Sequence, residues 1–301
     1  MRAFLRKTLI AIALFAALAT ALDALIAWRS HGRQFERYAD LNVINAGKPS
    51  PQVVVMGNSR ARYHFDPRIL EAALGERCYN LGMIGYPVMD QLGKLAYHLR
   101  HNTPPDLVIV NMDEASWLPL SRDTITQYEQ FLDDIRDPVI FDLVRPKNGF
   151  KYTDLLPWSR FSGYPGYVWK IACGDTLLNA FNGFIADTTV MPPAALRKAL
   201  LPYSHDTAAF DTYLDAIRAH RASHWPGVRI VYVESPYFQR GTNVVLPWLE
   251  GRLDTTYERA LAIDLGWVGD TGLFMNRTHL NQFGAERYSR ILSDSLGAHG
   301  Y

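Results

Sequence analysis

The sequence has only two cysteines in 301 residues, Cys78 and Cys173. It has no Cys-x-x-Cys pair, which argues against a zinc ribbon or a thioredoxin-type redox motif. An oxidising compartment would permit a Cys78–Cys173 disulfide, but two small buried thiols are the plainer reading. Charge of one sign is also lacking: 31 basic residues face 30 acidic ones, a formal net charge of +1. Polyanion-binding proteins normally carry a basic excess, so nothing here points to nucleic acid. No His or Cys cluster has metal-ligand spacing, and no Gly-x-Gly-x-x-Gly or phosphate loop follows a strand-like run. We expect neither a metal nor any other cofactor. Internal repeats and low-complexity runs are missing too. With 48% hydrophobic and 12% aromatic residues against 20% charged, the composition builds a sizeable core and is not that of a disordered chain.

Long apolar runs are absent with one exception. Arg2, Arg6 and Lys7 precede a run from Leu9 to Trp28 that only Asp23 interrupts. About 20 apolar residues suffice to cross a bilayer as a helix, and Trp28 stands where an interfacial aromatic would. A cleavable signal peptide is the competing reading, because Ala19-Thr20-Ala21 resembles a small-residue cleavage site. The apolar run continues past that point, which favours an uncleaved anchor over 1–35. Arg29, Arg33 and Arg37 balance the basic residues on the other flank, so the positive-inside count does not orient the helix.

Beyond the anchor, 36–301 read as one α/β domain. Val53-Val54-Val55-Met56 is a short continuous apolar run closed by Gly57-Asn58, the mark of a buried parallel strand. Pro67 to Leu74 reads as a helix with proline in its first turn and Gly75 at its end. Cys78–Leu81 is a second strand, Met89–Leu99 a helix, and Asp106–Asn111 a third strand. Strand and helix alternate at short intervals, as in a doubly wound, mostly parallel sheet with three layers. The stretch from about 115 to 205 breaks that rhythm and reads as a helical and irregular insertion, a lid or partner surface. A helix over about 207–225, a strand over 228–233, a helix over about 248–261, a strand-like Gly272–Met275 and a last helix over about 282–296 follow.

Ligands of open α/β sheets bind beyond the C-terminal strand ends. Ser59, Gly82, Gly85, Asn111 and Glu234 all fall there. A serine hydroxyl needs an adjacent base to act as a nucleophile, and a tight turn after a strand exposes it. His279, in the loop Asn276-Arg277-Thr278-His279, is the candidate base. For each, a plainer role exists: Ser59 as a helix or turn cap, His279 as a structural histidine.

Three blocks carry a resemblance. Val53–Ser59 resembles the first block of the SGNH (GDSL-like) hydrolases, Gly-Asp-Ser or Gly-Asn-Ser after the first strand. Tyr79-Asn80-Leu81-Gly82-Met83-Ile84-Gly85 resembles the second, and Asn276-Arg277-Thr278-His279-Leu280-Asn281-Gln282-Phe283-Gly284-Ala285 the last. They come in the family's order. The resemblance implies a flavodoxin-like three-layer fold, Ser59 as nucleophile, His279 as base, and an oxyanion hole from the N–H groups of Ser59 and Gly85 with Asn111. The anchor, with Val231–Tyr237, is similar to a membrane-anchored subgroup that O-acylates cell-surface polysaccharides, as in alginate acetylation and teichoic-acid D-alanylation. That implies a periplasmic or extracytoplasmic domain on a single-pass inner-membrane anchor, a polysaccharide substrate, and a multi-pass membrane acyltransferase as partner.

Two positions depart from the pattern. The family's triad acid is here Asn276, which carries no charge to stabilise an imidazolium; Asp270 is an alternative acid, and a site that has lost its activity is another reading. Asn111 also sits early relative to the family's Gly-x-Asn-Asp block. Arg60, Arg62 and His64 are weaker candidates for substrate contact, a solvated or capping role being the plainer one. Trp117, Trp158, Tyr164, Tyr167 and Trp169 could stack on sugar rings or simply pack the insertion. The expected function is an O-acyltransferase, with an SGNH esterase or deacetylase, or a polysaccharide-binding scaffold subunit, as alternatives.

Overall fold

The structure is a computed structural model that describes residues 1–31, 41, 44, 50–113, 131–147, 149–157, 159–173, 180–197, 207–239 and 245–301. The chain divides into two compact units, Met1–Asn42 with Ser121–Leu177, and Val43–Leu120 with Leu178–Tyr301.

The larger unit is built on five strands: β1 (Val53–Met56), β2 (Cys78–Asn80), β3 (Leu107–Asn111), β6 (Arg229–Val233) and β7 (Glu258–Leu261). Their order is β2-β1-β3-β6-β7, and every neighbouring pair is parallel. A short antiparallel hairpin, β4 (Ala180–Phe181) with β5 (Phe184–Ile185), stands apart. Every residue of β1 and β3 is buried. A parallel sheet covered on both faces demands this, and it explains why these strands read as unbroken apolar runs.

The helices follow from the crossover rule. From β1 the chain passes through α2 (Ser59–His64) and α3 (Pro67–Leu74) outward to β2. It then returns through α4 (Val88–His101) to β3 on the other side of β1. Right-handed crossovers in opposite directions place their helices on opposite faces. On one face α2 and α3 pack against the last helix, α8 (Gln282–Ala298). There Val53, Val55, Ile109, Val231 and Val233 share a core with Leu70, Tyr288, Leu292 and Leu296. On the other, α4 packs with α7 (Thr207–His224). Arg218 of α7 grips the buried Glu258 carboxylate of the edge strand at 2.6 and 3.0 Å, and the Tyr232 hydroxyl donates to the same group at 3.2 Å.

The expected caps are in place. The Asp66 side chain accepts from Arg68 N, Pro67 opens α3, and Gly75 closes it in a left-handed conformation. The α/β class, the doubly wound parallel sheet and the N-terminal apolar helix are as the sequence implies. Two elements differ. The helix expected over about 248–261 is a 3₁₀ turn (Leu246–Leu249) followed by strand β7. Ile230–Val233 pairs with Glu258–Leu261, so the ladder at the sheet edge overrides local helical preference. The strand-like Gly272–Met275 is a 3₁₀ turn (Thr271–Leu273) and a single bridge, Phe274 to Leu280.

The smaller unit holds α1 (Arg2–His31), α5 (Pro138–Val144), a 3₁₀ turn (Tyr152–Leu155) and α6 (Pro165–Cys173). Over Arg2–Ser30, α1 is long and apolar enough to cross a membrane. Residues 180–197, within the stretch expected as an insertion, fall in the larger unit: Asn182 O accepts from Asn80 N at 2.8 Å, and Phe184 joins the sheet core. Both cysteines are free thiols. Cys78 is buried, and Cys173, contrary to expectation, is exposed.

Ile109 lies fully buried in the central strand β3. Ile109→Ala is expected to lower stability by about 2–5 kcal/mol, while Phe283→Ala on the exposed side of α8 changes it by about 0.5 kcal/mol or less. Denaturant titration of the full chain in detergent reads the difference.

Candidate active site

Strand order 2-1-3 reverses the chain between β1 and β3, and the crevice at such a switch point is where an α/β sheet holds its ligand. The turn Gly57-Asn58 leaves β1 there. A side chain at Gly57 would come within 2.7 Å of Ala61 Cβ and 3.1 Å of Asn111 Cβ, at a φ of +153°. Only glycine lets β1 turn this close to the end of β3. Asn58 caps α2 through its side chain, which accepts from Arg60 N at 2.9 Å. Ser59 is thereby the first residue of the helix, and it is partly exposed.

His279 reaches it from the loop before α8. Its Nε2 lies 2.8 Å from Ser59 Oγ, although 220 residues separate the two in sequence. The other ring nitrogen faces Thr278 Oγ1 at 3.0 Å and Asn276 Oδ1 at 3.2 Å. Asn276 Oδ1 also accepts from the main-chain N–H of Thr278 (2.9 Å) and of His279 (3.0 Å), and from the Thr278 hydroxyl (2.8 Å). Two main-chain donors can only face an oxygen, so the Asn276 amide is fixed with Oδ1 toward the ring. An acceptor opposite Nδ1 keeps the proton there and leaves the Nε2 lone pair directed at Ser59. That is the tautomer a general base requires. Burial, with a contribution from the Arg60 guanidinium, pushes the His279 imidazole down to about 4. It is therefore neutral at physiological pH. The other proposed acid, Asp270, is exposed and caps a 3₁₀ turn through Gly272 N.

His64 lies inside, fully buried. Its Nε2 accepts from Leu280 N at 3.0 Å and its Nδ1 donates to Ser235 Oγ at 2.8 Å. Burial, then the nearby Arg60 and His279, hold it well below the usual histidine range. A neutral His64 thus ties the residue after His279 to the end of β6. Arg60 is equally buried, its guanidinium over the Tyr237 ring at 3.6 Å and 3.5 Å from Asp113 Oδ2. Arg62 is 2% exposed, with a guanidinium nitrogen 3.5 Å from Gly82 O. All three sit in the interior behind the Ser59 turn, rather than on a face open to substrate.

The second block also lies at the sheet's C-terminal edge. Leu81 N donates to Val55 O at 2.8 Å and Met83 N to Gly57 O at 2.9 Å, which holds this loop beside the Ser59 turn. Gly82 packs so tightly that an added Cβ would sit 2.6 Å from Arg62 N. Gly85 is exposed. Asn111 is buried at the end of β3: its Oδ1 accepts from Ser235 N at 3.0 Å, while its Nδ2 is enclosed without a hydrogen-bond partner. No group of three or more His, Cys, Asp or Glu side chains that could hold a metal occurs among the described residues. Among the aromatic candidates, Trp117 and Trp158 lie outside the described residues, as does the side chain of Tyr167. Tyr164 is half-buried, and Trp169 is exposed in the smaller unit.

No family model matches the sequence, and no curated protein does. Among solved structures, a chain from Streptococcus pneumonia provisionally described as a platelet activating factor is similar over 97% of this chain and 99% of its own, at 12% identity and a TM-score of 0.43. The α/β class rests on this chain's own strand order.

Sequence reading missed Thr278, Ser235 and the strut role of His64. The signal for Thr278 was present: in Asn-x-Thr-His an asparagine turns back on the N–H groups two and three residues on, as Asx turns do.

With His279 as the candidate base for Ser59, protonation of Nε2 would remove it, so the rate of Ser59 acylation is expected to be level above about pH 5 and to fall below a midpoint near 4, by about tenfold per pH unit. The folded-state values of His64 and His279 lie below that of an unfolded histidine. The stability they contribute is therefore full above about pH 6.5 and lost progressively as the pH falls below it, for His279 down to about 4. Intrinsic fluorescence at each pH separates unfolding from loss of the base. Asn276→Asp places a negative charge on Nδ1–H; the acid limb is expected to move up by about one pH unit or more, with a rate gain of about tenfold or greater. Thr278→Val is expected to lower the rate without moving that limb upward.

Proposed function

We propose that this chain is a serine acyl-transfer enzyme of the SGNH type, anchored in the inner membrane and acting outside the cytoplasm as an O-acyltransferase on a surface or secreted polysaccharide. The observation that carries the chemistry is the 2.8 Å contact between His279 Nε2 and Ser59 Oγ, with Nδ1 facing an oxygen whose orientation the backbone fixes. The sugar acceptor and the anchoring rest on the resemblance of the three sequence blocks and on the apolar helix α1.

Ser59 Oγ attacks the acyl carbonyl as His279 Nε2 takes its proton. The tetrahedral oxyanion forms beside the N-terminus of α2, where Ser59 N–H, with Gly85 N–H from the second block, would donate to it. The imidazolium returns its proton to the leaving group and an acyl-serine remains. An acceptor hydroxyl then gives its proton to Nε2 and attacks the ester, which releases Ser59. Asn276 supplies orientation and no counter-charge, so the imidazolium is less stabilised than in a carboxylate triad. A low intrinsic affinity of His279 for protons has the same effect, and both predict slow turnover. A multi-pass membrane acyltransferase is the expected source of the acyl group.

Intact mass of the full chain in detergent, after incubation with an activated acetyl ester, tests the reading. One acetyl adduct is expected on the wild type and none on Ser59→Ala; equal masses for both would refute the nucleophile. Chasing the adduct with an acetyl-free oligosaccharide or with buffer alone then separates a transferase from an esterase.

A further inference from the structure

We propose that the inserted segments 131–147, 149–157 and 159–173 form a membrane-interface collar, clamped to the outer third of α1 and presenting Trp28 and Trp169 to the lipid headgroups. The proposal rests on α1 crossing the bilayer, as assumed for the proposed function. It adds where the span ends and what covers the insertion.

The clamp is explicit. Asp23, the one acidic residue of α1, is buried against Arg160, whose Nε and Nη2 reach its two carboxylate oxygens at 2.7 and 2.9 Å. Arg160 Nη1 donates to Leu132 O and Asp133 O at 3.2 and 3.0 Å. Further along α1, Ser30 Oγ donates to Asp133, and Arg29 donates to Ile171 O and Ala172 O at 3.3 and 3.2 Å. The anchor is therefore an integral part of this unit's fold.

The level of Asp23 cannot lie in hydrocarbon. The segments around Arg160 are turns, closed by such bonds as Asp134 N to Phe131 O and Ser159 N to Leu156 O. Irregular backbone of this kind is not tolerated against lipid tails. The hydrocarbon must end on the N-terminal side of Asp23. The stretch from Thr8 to Leu22 spans about 22 Å as a helix. Arg6 and Lys7 can reach back to the opposite headgroups along their own stems, which brings the match close to the roughly 30 Å of a bilayer core. In that stretch Leu9, Ile12, Leu14, Phe15 and Leu18 are all exposed, each by more than half.

Trp28 lies five residues beyond Asp23, about 7–8 Å along the axis, a depth that matches the headgroup layer. It is 71% exposed. Trp169 of α6 is 70% exposed, and the helix end that carries it bonds to Arg29, the residue after Trp28. Two bare tryptophans at one level above a membrane span form the aromatic belt of an interface.

Cys173, at the end of α6, is an exposed thiol and a ready probe. The full chain is reconstituted in phosphatidylcholine–phosphatidylglycerol liposomes with Cys78→Ala, and a nitroxide on Cys173 is read by power saturation with oxygen and a water-soluble nickel chelate. Two further labels, each in the Cys173→Ser background, calibrate depth: Ile12→Cys in α1 and Asp294→Cys on α8. Expected is an Ile12→Cys label in the bilayer core, a Cys173 label at headgroup depth, and a shift of the latter toward water in Trp169→Gln. A Cys173 label as nickel-accessible as Asp294→Cys, with Ile12→Cys still in lipid, overturns the collar and leaves the span standing. An aqueous Ile12→Cys overturns both.

Discussion

The Oδ1 atom of Asn276 receives the main-chain N–H groups of Thr278 and His279, the Thr278 hydroxyl, and a contact from His279 Nδ1. The loop before α8 is folded around this one oxygen. An amide has a donor end and an acceptor end, and backbone donors decide which of them meets the ring. The result is a histidine with its tautomer set and its lone pair on Ser59, achieved without a carboxylate. The missing charge is matched by an imidazole whose burial already disfavours the cation.

Around that loop, a buried layer fixes where His279 can stand. His64 joins Leu280 N to Ser235 at the end of β6. Asn111 joins the end of β3 to the same segment through Ser235 N. Arg60 lies between Tyr237 and Asp113. These groups follow directly on the strand ends and the Ser59 turn, so the sheet and the dyad are one construction. A displaced strand end would move His279 relative to Ser59 by a comparable distance, and the proposed proton transfer tolerates little of that.

The sequence was informative where a local rule governs. Val53–Met56 and Leu107–Val110 could be read as buried parallel strands because both faces of such strands are covered. Pro67 and Gly75 bracket α3 because each suits its end of a helix. Glu258–Leu261 was misread as helix, since its strand exists through pairing with Ile230–Val233, and nothing local announces a sheet edge. Arg60, Arg62 and His64 were read as solvated or capping because charge usually is; a six-residue helix packed against β5 on one side and α8 on another buries them instead.

By itself, then, the chain determined its class and its apolar N-terminal helix, because each depends on neighbours within one turn or one strand, while Ser59 and His279 stood out as candidates through the three blocks that resemble a known family. Tertiary structure alone decided that Ser59 and His279 meet across 220 residues, that Asn276 presents its oxygen, and that His64 serves as a strut. It likewise decided that Asp23 finds Arg160, 137 residues away. Contacts of that separation are set by how the packed layers align, and no local pattern of residues encodes the alignment.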